Sequence, residues 1–236
     1  MNTPGSKLKP LAIGTFLLTL ASSTLIVATP ASAKVSGEKP DDSPGWVVIE
    51  EDWYYPLLDE SSQALHDARA HFRKGEERAA ANELRKAEAW LRYAAGHAMQ
   101  RSKDALTAAA GDLRMLAQRL HDGKVVSAAE LDKRVAQASE QLAAWHYYKA
   151  RASMGAEEER HAAQELLAAA RHLRLAASSA RYEYGPDGLL ALDTVEEHGR
   201  IIERGEVLSR DALDTDLRAI GGAVDKMATA LAEAAD

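Results

Sequence analysis

The chain has 236 residues, of which 29 are basic and 36 acidic, so its formal net charge is −7. Because an acidic surface repels phosphate groups, we expect no nucleic-acid partner. The sequence contains no cysteine, which excludes disulfides, thiolate metal sites, cysteine nucleophiles and the covalent attachment of c-type haem.

The first 33 residues have the pattern of a secretory signal peptide. Lys7 and Lys9 precede an apolar run at 11–28, and Ala-Ser-Ala at 31–33 matches a cleavage site. We therefore expect cleavage after Ala33 and a mature protein in the periplasm, free of the membrane. A retained membrane anchor is the alternative, because the apolar run is about long enough to span a bilayer.

The remainder of the chain predicts a short leader followed by one all-α domain. Residues 34–56 are expected to be extended, since their first half is mostly polar and contains two prolines and two glycines. Residues 57–236 are dominated by strong helix formers and predict an elongated up-and-down helical bundle. Turn residues divide it into five main helices, at 57–73, 76–121, 127–154, 157–203 with a break at Gly185-Pro186, and 207–235.

The second predicted helix, 76–121, is unusually long. Leu84, Leu91 and Ala98 are spaced by seven residues, and the spacing resumes at Leu106 after a shift of one residue. Such a stripe indicates packing against other helices at a shallow angle. Because no proline interrupts it, we expect this helix to be unbroken.

An internal duplication is the most specific feature of the sequence. Residues 68–95 align on 150–177 without a gap, at an offset of 82, and 15 of the 28 positions are identical. The same offset aligns the turn glycines and the helix-capping serines that follow, Gly123 with Gly205 and Ser127 with Ser209.

The duplication divides the helical domain into units of about 57–139 and 140–236, with the third helix shared by both. The one difference that we expect is a bend near Pro186, because proline removes a backbone donor and clashes with the preceding turn. This bend is expected to open a helical surface beside Tyr182 and Tyr184.

Aromatic residues make up 6% of the chain but crowd into "WYYP" at 53–56 and "WHYY" at 145–148. Trp145 and Tyr148 are three residues apart and share a helical face. Packing within the bundle is the favoured interpretation, because large rings at helical spacing usually fill a core. The alternative is a surface for a ligand or partner, formed by Trp145, His146, Tyr148, Tyr182 and Tyr184.

Candidate metal ligands and catalytic residues are few. A helical metal site needs histidines four residues apart or Glu-x-x-His motifs, and only Glu158 and His161 have the second spacing. They lie at a helix start, where acids are favoured by the helix dipole, so we predict no metal site and no cofactor. No nucleophile elbow or phosphate-binding loop is present in the sequence, and we expect no enzymatic activity.

The stretch at 52–88 has a tyrosine and a Pro-Leu pair, Tyr54 and Pro56-Leu57, that lead into an alanine-rich helical hairpin. In this respect it resembles YfdX-type periplasmic helical proteins. The resemblance implies a non-catalytic, stress-associated protein of the bacterial envelope, and it carries over no catalytic residue.

These observations together predict a non-enzymatic periplasmic helical protein that binds a protein partner or associates with itself through helix faces. The alternative is a carrier of a metal ion, haem or another small ligand, which would use the aromatic and histidine cluster around His146.

Overall fold

The computed structural model describes residues 51–155 and 158–234, with side chains from Glu60 onward. The predicted signal peptide and most of the predicted leader lie outside the described residues. Within the described ranges the chain is all-helical, as predicted, and forms a helical bundle. The helices are α1 (Glu51–Arg73), α2 (Glu77–His97), α3 (Gln100–His121), α4 (Ala128–Gly155), α5 (Glu159–Ala180), α6 (Pro186–Glu203) and α7 (Arg210–Glu233).

The helix predicted at 76–121 is two helices, so the expectation of an unbroken helix is wrong. Ala98 and Met99 have extended backbones, with ψ of 150° and 152°, and separate α2 from α3. The two helices pack against each other, and Leu91 and Leu106 lie in the same core. A two-residue connection between helices that pack along their lengths requires the chain to reverse. The apolar contact between the helices outweighs the helix propensity of the connection.

The break predicted near Pro186 is confirmed. Helix α5 ends at Ala180, and Arg181 takes a left-handed conformation with φ of 55°. Helix α6 then begins at Pro186 itself, behind the extended Gly185. Proline suits this position because the first N–H groups of a helix have no intrahelical acceptor.

The start of α1 also differs from the prediction. It begins at Glu51, so residues 51–56, which we assigned to an extended leader, are helical. Pro56, which we placed at the end of the leader, therefore lies within the helix. None of the helices in the described part of the chain is long and apolar enough to cross a membrane.

Two hydrophobic cores organise the bundle. The first is formed by α1, α2, α3 and α4, with Leu175 of α5 at its edge. The second is formed by α4, α5, α6 and α7. We call these helix sets the first unit and the second unit. Helix α4 belongs to both, since Leu142 lies in the first core and Ala150 in the second.

Many features of the two units recur at an offset of 82 residues. Helices α2 and α5 begin at 77 and 159, α3 and α6 end at 121 and 203, and α4 and α7 begin at 128 and 210. Every residue buried in α2 has a buried residue 82 positions later in α5. Gly123 and Gly205 both have positive φ, of 68° and 81°. Ser127 and Ser209 each accept a hydrogen bond from the backbone N–H three residues later, as helix caps do.

Candidate functional site

The five residues of the predicted ligand or partner surface do not form one surface. The side chains of Trp145, His146 and Tyr184 are buried, with 4%, 1% and 5% of their area exposed, whereas Tyr148 and Tyr182 are partly exposed. Trp145 belongs to the core of the first unit, and Tyr182 and Tyr184 belong to that of the second. The structure therefore separates them, and only Tyr148 and Tyr182 keep an exposed part.

The bend near Pro186 does not expose both of its tyrosines. Tyr184 turns inward, and its hydroxyl donates a hydrogen bond to the carbonyl oxygen of Ala223 at 3.3 Å. Tyr182 packs edge-on against it, with 5.0 Å between the ring centroids. Burial raises the pKa of Tyr184, so this hydroxyl remains protonated and serves as a structural donor from the α5–α6 connection to α7.

His146 lies in a buried polar contact between α4 and α5. Its Nδ1 is 2.6 Å from Oε2 of Glu165, and Lys149 pairs with the other carboxylate oxygen. Burial raises the pKa of Glu165, but the bonds to His146 and the charge of Lys149 outweigh this effect and lower it. The carboxylate is therefore ionised and compensated, as a buried charge must be.

His172 extends this contact to α1. Its ring is stacked on that of His146, at 5.5 Å between centroids, and its Nε2 is 3.0 Å from Oγ of Ser61. Burial, and then the charge of His146, lower its pKa well below the ordinary range, so His172 is neutral. Its Nδ1 and the indole Nε1 of Trp145 have no hydrogen-bond partner among the described residues. This arrangement joins three helices and does not present a reactive group to solvent.

The geometry of the histidines does not favour a metal site. The rings of His146 and His172 are inclined by only 14°, so their in-plane lone pairs do not converge on one point, as tetrahedral ligation requires. Glu158 and His161, the pair with metal-ligand spacing, are 3.3 Å apart at the start of α5. Among the described residues there is no group of three potential ligands that could hold a metal ion.

The structure reveals a groove that the sequence did not predict. It lies between α1 and α5 and has a volume of about 390 Å³. Four of its lining residues are arginines, one is a histidine and none is acidic, so we call it the basic groove. These five residues are His66, Arg69 and Arg73 of α1, and Arg171 and Arg174 of α5.

Arg69 fixes the floor of the basic groove. It is buried, and its Nε donates to Oδ1 of Asp132 on α4 at 2.7 Å. Its two terminal nitrogens donate to Oγ and the carbonyl oxygen of Ser178 on α5, at 3.2 and 3.3 Å. Arg69 therefore holds α1 against both α4 and α5. Arg73, one turn further along, keeps 60% of its side chain exposed and lies 3.6 Å from Asp132.

The arginines contributed by α5 are oriented by carboxylates of α6. Arg174 donates to Asp193 and Glu196, and Arg171 lies 3.6 Å from Glu203. Each guanidinium has five N–H donors, so these contacts orient the groups without using every donor. The spacing of Arg171 and Arg174 marks one helical face in the sequence. That this face meets the face of Arg69 and Arg73 is visible only in the structure.

Comparison with protein-family models, with curated proteins and with solved structures gives no match to this chain. The resemblance of residues 52–88 to YfdX-type proteins therefore stays a prediction.

Proposed function

We propose that the chain is an exported, non-enzymatic helical protein that binds an acidic segment of a protein partner in the basic groove. The observation that carries this proposal is the lining of the groove, which combines four arginines and a histidine with no acidic side chain. Export rests on the signal-peptide pattern of residues 1–33, and N-terminal sequencing of the exported protein should begin at Lys34.

The arrangement of the arginines suits carboxylates of a partner. Guanidinium groups bind carboxylates through paired N–H donors, which gives directional and charge-assisted bonds. The chain's own carboxylates reach Arg69 and Arg174 from α4 and α6, outside the lining of the groove. The exposed side chain of Arg73 is the first group that an approaching acidic segment would meet.

The absence of enzymatic activity remains part of the proposal. The buried groups His146 and Glu165 bond to each other, and Glu165 also pairs with Lys149. Neither His146 nor Glu165 lines the basic groove. The resemblance of residues 52–88 to YfdX-type proteins supports a stress-associated role in the bacterial envelope.

We also propose that the two units arose by internal duplication. The identical residues between 68–95 and 150–177 support it, and so do the helix boundaries and buried positions that recur at the same offset. An experimental structure in which residues 64–135 superpose on 146–217 only after a register shift would contradict this proposal.

The carrier of a metal ion, haem or small ligand, our alternative prediction, lacks a supporting observation. Trp145 and His146 are buried between helices, so a ligand could reach them only if α4 separated from its neighbours.

Binding of a fluorescein-labelled peptide of eight glutamates, measured by fluorescence anisotropy, tests the basic groove. We expect saturable binding that weakens at least tenfold in the double variant Arg73→Glu, Arg171→Glu, because both side chains line the groove and are partly exposed. Binding should also weaken with salt, since partly exposed charges are screened.

The control has the same change in net charge at sites outside the lining. Arg200 and Arg204 of the second unit are exposed, and the double variant Arg200→Glu, Arg204→Glu should bind the peptide within about threefold of the unmodified protein, because long-range charge effects are small at physiological salt. Equal weakening in both double variants, or no binding at all, would contradict the proposal.

A further inference from the structure

A second groove lies between α3, α4 and α7 and differs in character from the basic groove. Its volume is about 360 Å³, which is within the range of sites for small molecules. The walls from α3 and α7 are formed largely by small apolar side chains, including Ala105 and Ala109 on one side and Ala228 and Leu231 on the other. We call it the alanine groove.

The wall contributed by α4 contains a buried carboxyl group without a cation. Glu140 is 5% exposed, and its partner is the side-chain amide of Gln141. No Lys, Arg or His of the described residues lies within ion-pair distance of it, and none lines the alanine groove. Burial raises the pKa of Glu140 to about 7, an effect that the bond from Gln141 only partly offsets.

The second acid of the groove is compensated. Oδ2 of Asp112 on α3 accepts a hydrogen bond from Arg134 of α4 at 2.7 Å, and the same nitrogen donates to the side-chain oxygen of Gln137 at 3.2 Å. Arg134 is therefore held at Asp112 and does not neutralise Glu140. The alanine groove thus has apolar walls, one neutralised acid and one acid that lacks a counter-charge.

We propose that the alanine groove binds an organic cation with an apolar body, whose ammonium group pairs with the carboxylate of Glu140. A buried carboxylate is costly unless it is paired and hydrogen-bonded, and a cationic ligand would supply the missing partner. The apolar body would cover the alanines and Leu231, whose exposed carbon surface favours burial. An anionic or neutral polar ligand would leave Glu140 uncompensated.

This inference does not depend on the proposed function. The alanine groove uses α3, α4 and α7, whereas the basic groove uses α1 and α5, and the two grooves favour ligands of opposite charge. Either one can therefore fail without affecting the other.

Three probes of one size test the inference by NMR titration of the amide signals at pH 8, which is above the pKa of Glu140. They are hexylammonium, 1-hexanol and hexanoate. The amine stays protonated at this pH, as lysine side chains do. We expect hexylammonium to shift the amides of residues lining the groove and to bind at least tenfold more tightly than 1-hexanol, with hexanoate the weakest.

Two variants test whether the ammonium group binds at Glu140. Glu140→Gln keeps the shape of the side chain and should bind hexylammonium no more tightly than 1-hexanol. Asp112→Asn removes an acid of the same groove that Arg134 already neutralises. This variant should keep the preference for hexylammonium over 1-hexanol to within about threefold. Equal binding of hexylammonium and 1-hexanol by the unmodified protein would overturn the proposal. The proposal would also be overturned if Glu140→Gln bound hexylammonium as tightly as the unmodified protein, or if Asp112→Asn lost as much affinity as Glu140→Gln. Shifts of amide signals only at residues outside the groove would overturn it too.

Discussion

The two units align at an offset of 82 residues but differ in how they accommodate the same acid. In the first unit, Glu83 is partly exposed and pairs with Lys86, one turn along the same helix, at 2.8 Å. In the second unit, the corresponding Glu165 is buried and bonds to His146 and Lys149 on the facing helix. One conserved position of the repeat therefore has a surface role in one unit and an interior role in the other.

The residues on the helix that faces the acid explain the difference. His146 stands where the first unit has Ala64, and Lys149 stands where it has Asp67. A buried carboxylate is stable only when partners satisfy it, and the second unit provides them from α4. These replacements on α4 supply the partners of Glu165 that the first unit lacks at the same positions.

The largest expected effect on stability comes from removing the ring of Trp145 on α4. Trp145→Ala should lower the free energy of unfolding by about 3 to 5 kcal/mol, because the ring is buried and its removal leaves a cavity. Trp90 is only partly buried, so Trp90→Ala should cost less than half as much. Urea denaturation of the two variants gives the comparison, and equal losses of stability would show that the burial of the ring does not decide the cost of its removal.

Removal of the histidine that faces Glu165 should have the next largest effect. His146→Ala should destabilise the fold by about 3 kcal/mol, because it removes a partner of a buried carboxylate. The matched change in the first unit, Lys86→Ala, removes the partner of Glu83 at the surface and should produce no measurable change. If both variants unfold at the same urea concentration as the unmodified protein, Glu165 does not depend on His146.

Glu140 lies on the helix shared by the units, and we expect its replacement to stabilise the protein at alkaline pH. Its pKa is raised from 4.5 to about 7 in the folded state, so the folded state binds the proton more tightly than the unfolded state. The unmodified protein therefore loses stability as pH rises from about 4.5 to about 7.

Glu140→Gln removes this loss, and its gain in the free energy of unfolding should be about 3 kcal/mol at pH 8 and near zero at pH 4. Urea denaturation at the two pH values measures it. A gain in stability that is equal at both pH values would show that ionisation of Glu140 is not its cause.

The smallest expected effect on stability tests whether the helix caps of the two units are equivalent. Ser127→Ala and Ser209→Ala each remove a helix cap, at the start of α4 and of α7. Each should cost about 1 kcal/mol, and the two losses should agree to within about 0.5 kcal/mol if the caps are equivalent. A loss at only one of the serines would show that the two turns differ in structure despite their aligned sequences.

The helical class and several turns could be predicted because single residues determine them. Gly75, Gly123 and Gly205 adopt positive φ, which glycine reaches without steric cost, and Pro186 begins a helix. The break at Ala98 and Met99 has no such residue, and their extended conformations are open to any amino acid. The one sign of this break in the sequence was the shift of the seven-residue leucine spacing before Leu106, between α2 and α3.

The candidate sites were less accessible to prediction because they depend on long-range packing. The aromatic stretch at 145–148 marked α4 as unusual, but the burial of Trp145 and His146 follows from contacts with α1 and α5. The basic groove combines Arg69 with Arg174, more than a hundred residues later. No local pattern shows that these helices touch, and the same holds for Glu140 in the alanine groove.

The membership of α4 in both cores has a consequence for folding. Two units with separate helices could unfold one after the other, but here the loss of either unit would expose a face of the same helix. We therefore expect a single cooperative transition with coincident signals from both units. Hydrogen exchange should be slowest for the amides at the centre of α4, because only global opening releases them. A fragment that contains one unit without α4 would lack one wall of its core.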